Sequence, residues 1–124
     1  MGAACRYEIK FEPKIIAEIR LLRSDEGGRS GPVRSGYRRS HDFGDVYEGA
    51  PNLNDTAHDF EGDTSLQLGE RRRSRMRFIS PELQFGRLFE GFRLTLHERT
   101  KLVGHGTVVA IVDSRMKKNN GALS

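Results

Sequence analysis

The chain has 124 residues, with 21 Lys and Arg against 17 Asp and Glu and a formal net charge of +4. That length suits one compact domain and excludes a GTPase or kinase core joined to a second folded unit. Apolar residues make up 35% of the chain and charged residues 31%, so the core must be thin, as in a small barrel or sandwich. No run approaches the length of an apolar membrane-spanning helix. The start, Met-Gly-Ala-Ala-Cys, lacks the apolar region of a signal peptide, and Arg6 stands where a myristoylation signal needs Ser or Thr. The expected location is the cytoplasm. Cys5, the single cysteine, excludes an internal disulfide and any cysteine-pair zinc motif.

Charge is unevenly distributed. Between Ser40 and Gly69 there is no Lys or Arg, but there are Asp42, Asp45, Glu48, Asp55, Asp59, Glu61 and Asp63. The remainder holds all 21 bases and 10 acids, which predicts one negative and one positive region unless folding interleaves them.

Residues 1–10 are expected to be an N-terminal extension, 11–113 a β-barrel domain and 114–124 a polar, frayed tail. In Phe11–Arg23, Ile15, Ala17, Ile19 and Leu21 alternate with Lys14, Ile16, Glu18 and Arg20, the period of a half-buried strand. Its Leu, Ala, Glu and Arg also favour helix. Ser24–Gly36 reads as a glycine- and proline-punctuated loop. Tyr37–Tyr47 is a weak strand candidate, Glu48–Asn54 a loop, and Thr64–Leu68 a short strand closed by Gly69. In Glu70–Ser80, Arg71, Arg73, Arg75 and Arg77 occupy one face of a predicted strand and Met76 and Phe78 the other. Phe92–Arg99 alternates cleanly, with Phe92, Leu94 and Leu96 inward. After a turn at Thr100-Lys101, Leu102–Asp113 is β-branched and reads as a strand, with Gly104 and Gly106 predicting a bulge or a close backbone approach. The expected fold is all-β, a closed antiparallel barrel.

Two segments carry a family resemblance. The first holds Glu26-Gly27-Gly28-Arg29, then Pro32, then Ser35-Gly36-Tyr37-Arg38. The second holds Phe92, Glu98 and Val103-Gly104-x-Gly106-x-Val108. Together they resemble the C-terminal (third) domain of bacterial elongation factor Tu, over roughly Phe11 to Val112, with Gly44 to Leu68 matching poorly. The resemblance implies a six-stranded antiparallel barrel. It also implies a face toward aminoacyl-tRNA, with Gly28, Arg29 and Ser30 in one loop and Glu98 and Arg99 in the other. Ser30 stands where the family commonly has His, Arg39-Ser40 where it has Pro-Gln, and Arg99 where it has Gly. No phosphate-cradling GxxxxGK[ST] run occurs, so GTP chemistry of the P-loop kind is not expected.

The expected activity is binding, not catalysis: no nucleophile–base pair or metal cluster is visible, and no cofactor, metal, small-molecule substrate or membrane partner is expected. The candidate contact residues are Gly28, Arg29, Ser30, Arg38, Arg71, Arg73, Arg75, Arg77, Glu98 and Arg99. Arg29 suits a bidentate grip on phosphate. Alternate strand residues stand about 6.6 Å apart, so the four-arginine ladder can track a phosphate backbone or an acidic protein surface, or pair internally with the acidic tract. That tract reads as a solvated loop, a nucleic-acid mimic or a dock for a basic partner. The histidines read as surface residues, Tyr37 as part of the barrel wall, and Cys5 as no nucleophile. Two partner classes follow: RNA, tRNA included, or a translation-related protein, the latter as an interaction or immunity module competing with elongation factor Tu.

Overall fold

A run of inward-pointing residues on six strands builds the molecule. The computed structural model describes residues 12–118 except Asp45, Glu48, Asn52 and Thr100. The expected N-terminal extension with Cys5, and the last six residues of the expected tail, lie outside the described residues. The strands are β1 (Pro13–Leu21), β2 (Val33–Arg34), β3 (Arg38–Asp42), β4 (Val46–Tyr47), β5 (Ala50–Pro51), β6 (Asn54–Phe60), β7 (Ser65–Leu66), β8 (Arg71–Phe78), β9 (Arg93–Glu98) and β10 (Lys101–Ile111). Six close into a barrel in the order β1-β10-β9-β3-β6-β8, and every neighbouring pair is antiparallel. β2 pairs β7 and β4 pairs β5 as small accessory sheets. Closure leaves the barrel strands without a free edge. Among the described residues, no helix is long and apolar enough to cross a membrane.

The interior follows the period-two reading closely. Ile15, Ala17, Ile19 and Leu21 of β1 meet Met76 and Phe78 of β8, Leu94 and Leu96 of β9 and Val108 of β10 in one buried cluster. Phe43 fills space against Phe78, with ring centroids 5.2 Å apart. The β1 segment is therefore strand, not helix, because its apolar residues repeat every second position and strands on both sides complete its hydrogen bonds. The two glycines of β10 act as expected. The register shifts between Leu102 and Gly104, and a Cβ at Gly104 would stand 2.8 Å from the Arg20 carbonyl oxygen.

Several readings need correction, beginning with the expected loops Ser24–Gly36 and Glu48–Asn54, which contain the short strands β2 and β5. The weak candidate Tyr37–Tyr47 is a strand only over Arg38–Asp42, with Val46–Tyr47 moving to the accessory hairpin. The acidic tract is not a loop throughout, since β6 carries Asp55 and Asp59 on its outer face and is a barrel stave. Its inward positions are Asn54, Thr56, His58 and Phe60, and mostly polar interior residues erase the hydrophobic alternation that would mark a strand. His41 and His58 are buried, not surface residues. Finally, the tail begins with an ordered 3-10 turn at Ser114–Met116, capped by the Asp113 side chain and burying Met116.

Phe78 contributes a wholly enclosed ring to this core. Phe78→Ala is expected to cost about 3–5 kcal/mol, read as a lowered urea midpoint at unchanged slope.

Candidate functional site

The loops singled out in the sequence converge on one carboxylate. The 3-10 turn Ser24–Glu26 ends at Gly27 with φ 86°, and Gly28 packs so tightly that a Cβ would stand 2.5 Å from the Leu22 carbonyl oxygen. This turn presents Arg29 toward the end of β9. There Glu98 Oε2 accepts from Arg29 Nε at 2.6 Å and from the Tyr37 hydroxyl at 2.7 Å, and Arg39 Nε lies 4.0 Å away. The guanidinium groups of Arg29 and Arg39 lie 5.6 and 5.5 Å from the Tyr37 ring centroid, within cation–π range.

The electrostatics follow from this packing. Partial burial opposes ionisation of Glu98, but the hydrogen bonds from Tyr37 and Arg29, with the charges of Arg29 and Arg39, outweigh it and hold its carboxyl below the usual range. Burial first, then the bond to Glu98, pushes the Tyr37 phenol up. Arg29 Nη1 also donates to the carbonyls of Gly31 and Pro32, at 2.6 and 2.7 Å. Arg29 is therefore committed to the protein through Nε and Nη1, and the expected two-pronged grip on phosphate through those atoms is replaced by a clamp between the two loops. Tyr37 and Arg39 complete the clamp and were absent from the sequence-derived site. The Gly-Tyr-Arg run gave a signal for Tyr37, but the convergence is made only by folding. Ser30, Arg38 and Arg99 remain exposed nearby in sequence, and Arg99 takes φ 59° at the β9–β10 turn, a conformation for which glycine is the easier residue.

The arginine ladder lies on a different wall. Arg71, Arg73 and Arg75 are exposed on the outer face of β8, and Arg77 is half-buried. Of the cross-strand pairs expected with the acidic tract, the described residues show Arg75 Nη2 to Asp59 Oδ2 at 3.7 Å, both side chains well exposed. Such a pair is worth about 0–1 kcal/mol. Arg71 and Arg73 instead face Arg20 and Glu18 across β1. Arg20 is tied to Glu26 at 3.1 Å, so the basic wall is continuous with the Ser24–Arg29 loop. Register places Arg71, Arg20, His105, Thr95 and Asp42 in one row across five strands. A groove of about 600 Å³ follows this row and also takes in Glu18 and Arg93. Arg72, which the sequence reading left aside, turns to the opposite side and donates to the carbonyls of Asp63 and Ser65 and to Glu70, anchoring β7.

Inside the barrel sits a polar chain. His41 Nδ1 lies 2.7 Å from the Arg39 carbonyl, His41 Nε2 lies 2.8 Å from His58 Nε2, and His58 Nδ1 lies 2.7 Å from Ser74 Oγ. A carbonyl only accepts, so His41 Nδ1–H donates to it and His41 Nε2 accepts from His58 Nε2–H. His58 Nδ1 then accepts from the Ser74 hydroxyl. Both rings are neutral in this arrangement. Burial lowers His41 to about 4, against the bond to the Arg39 carbonyl, and burial with the facing His41 holds His58 well below its ordinary value.

Among the described residues, no group of three or more His, Cys, Asp or Glu is placed to hold a metal ion. No family model matches the chain.

Two outcomes follow. The unfolded chain binds protons that the buried imidazoles refuse, so stability falls as pH drops from about 6.5 toward 4. The His41–His58 pair accounts for a loss on the order of 3 kcal/mol, read from urea midpoints at pH 7 and pH 4. Gly28→Ala must displace the Leu22 backbone and is expected to cost about 1–3 kcal/mol, with loss of the Arg29–Glu98 clamp visible as chemical-shift change at Tyr37.

Proposed function

We propose that the chain is a non-catalytic module that binds RNA through its phosphate backbone, using the outer face of β8 as the principal contact. The observation that carries this reading is the exposure of Arg71, Arg73 and Arg75 in a row, with one weak carboxylate pairing among them. A regular line of guanidinium groups on a rigid strand offers charge-assisted hydrogen bonds at fixed spacing, without base-edge recognition. The wall continues through Arg20 to the Ser24–Arg29 loop. The resemblance of that loop and of Ser35–Arg38 to the tRNA-facing third domain of elongation factor Tu supports RNA of the translation apparatus as the ligand class. The role of Arg29 in this reading is to hold the loop through Glu98, and the phosphate contacts fall to the ladder.

Binding of a labelled tRNA across a salt series is expected to give a log–log slope of about −2 to −3 for three phosphate contacts. Arg71→Gln and Arg73→Gln, both at exposed positions, should each reduce the slope by about 1 and leave the urea midpoint unchanged. Undetectable binding, or binding indifferent to salt, overturns the reading.

A further inference from the structure

The exposed large apolar side chains among the described residues are Ile79, Leu83, Phe85, Phe89 and Val112. Four belong to the connection between β8 and β9, and the fifth follows the end of β10. Backbone hydrogen bonds tie these regions together: Gly86 N to the Arg115 carbonyl at 2.8 Å, Leu88 N to the Met116 carbonyl at 2.8 Å and Lys118 N to the Leu88 carbonyl at 2.7 Å. Between them lies a groove of about 410 Å³, lined by Phe89, Glu90, Ile111, Val112, Ser114 and Lys117. Val112 is 54% exposed and Phe89 42%, so the apolar floor is open to solvent in a small protein with little apolar surface to spare. Of the exposed apolar residues, Phe89 and Val112 line this groove, a concave place for an apolar anchor among polar groups.

The rim defines what fits. Arg115 lies over the Phe85 ring at 4.8 Å and Lys118 over the Phe89 ring at 5.7 Å, and Lys117 lines the groove. The carboxylate of Asp113 is already engaged by both Lys14 and Arg115, at 3.2 and 2.6 Å. Lys117 and Lys118 are exposed at the mouth, and Glu90 is the carboxylate that lines the groove. We propose that this groove docks a short acidic segment of a protein partner, one that inserts an aromatic or aliphatic side chain between Phe89 and Val112 and sets its carboxylates against Lys117 and Lys118. Apolar anchoring supplies the affinity, and the basic rim selects acidic flanks over basic ones. The groove shares no residue with the arginine ladder, so this inference stands or falls independently of RNA binding.

The test uses the full chain and a fluorescent peptide alternating Glu and Asp with Phe and Leu, read by polarisation. Binding is expected, and Phe89→Ser or Val112→Ser should weaken it at least tenfold while leaving tRNA binding and the urea midpoint unchanged. The double variant Lys117→Glu/Lys118→Glu should lose the acidic peptide and gain one in which Lys replaces the acids. Three results overturn the proposal. One is no binding. Another is equal binding of an acidic peptide without Phe and Leu, which reports charge alone. The third is self-association in sedimentation that Phe89→Ser abolishes, which would make a second copy the occupant.

Discussion

Strand β1 closes the barrel, hydrogen-bonded to β10 along one edge and to β8 along the other. The rest of the surface chemistry follows from that closure. A closed sheet has one inside and one outside, so each stave must send alternate residues in opposite directions. On β1 the inward set is Ile15, Ala17, Ile19 and Leu21, all wholly buried. Because β8 is locked to β1 with Ser74 opposite Ala17 and Met76 opposite Ile15, Arg71, Arg73 and Arg75 have no route except outward. A one-residue slip would put the arginines into the core. The penalty for burying unpaired charge makes the basic wall a consequence of core packing as much as of any function.

The same closure sets a group of polar residues against the inner wall of β3, β6 and β8. β6 contributes Asn54, Thr56 and His58, and β3 contributes His41. Burial of such groups is costly unless each finds a partner. The chain from the Arg39 carbonyl through His41 and His58 to Ser74 gives both imidazoles partners at both nitrogens, with a single consistent direction of donation. It ties the neighbouring staves β3, β6 and β8 together along the inner wall. Apolar packing, concentrated on β1, β9 and β10, holds the other side of the barrel.

Two kinds of surface result, held by different forces. Around Glu98 the charges are internally satisfied. One carboxylate gathers Arg29, Tyr37 and the nearby Arg39, joining loops far apart in the chain and giving the region rigidity at the expense of free binding groups. Along β8 the charges are left mostly open, and around Phe89 and Val112 exposed apolar side chains stand beside the exposed Lys117 and Lys118. Open charge and open apolar area both cost something in an isolated molecule, and both read as surfaces that a partner would complete.

How much of this was legible in the residues differs from strand to strand. β1 and β9 could be read because each follows a two-residue apolar repeat, β8 because arginines alternate with Ser74, Met76 and Phe78, and β10 because it is β-branched, all local properties of the chain. The outward arginine ladder was legible for the same reason. β6 was not, because its inward positions are filled mainly by polar side chains, and the period that marks a stave disappears when the interior is not apolar. The fate of Arg29 was equally hidden. Sequence alone determined that this residue sits in a glycine-shaped loop suited to approach an anion. Only the tertiary structure decided that the anion is Glu98, brought from 69 positions away. The strand period, the turn glycines and the charge distribution were set by the sequence, since each depends on neighbouring residues. The partners of Arg29, His41 and His58 were decided by barrel closure, because long-range register is fixed only when all six staves pack at once.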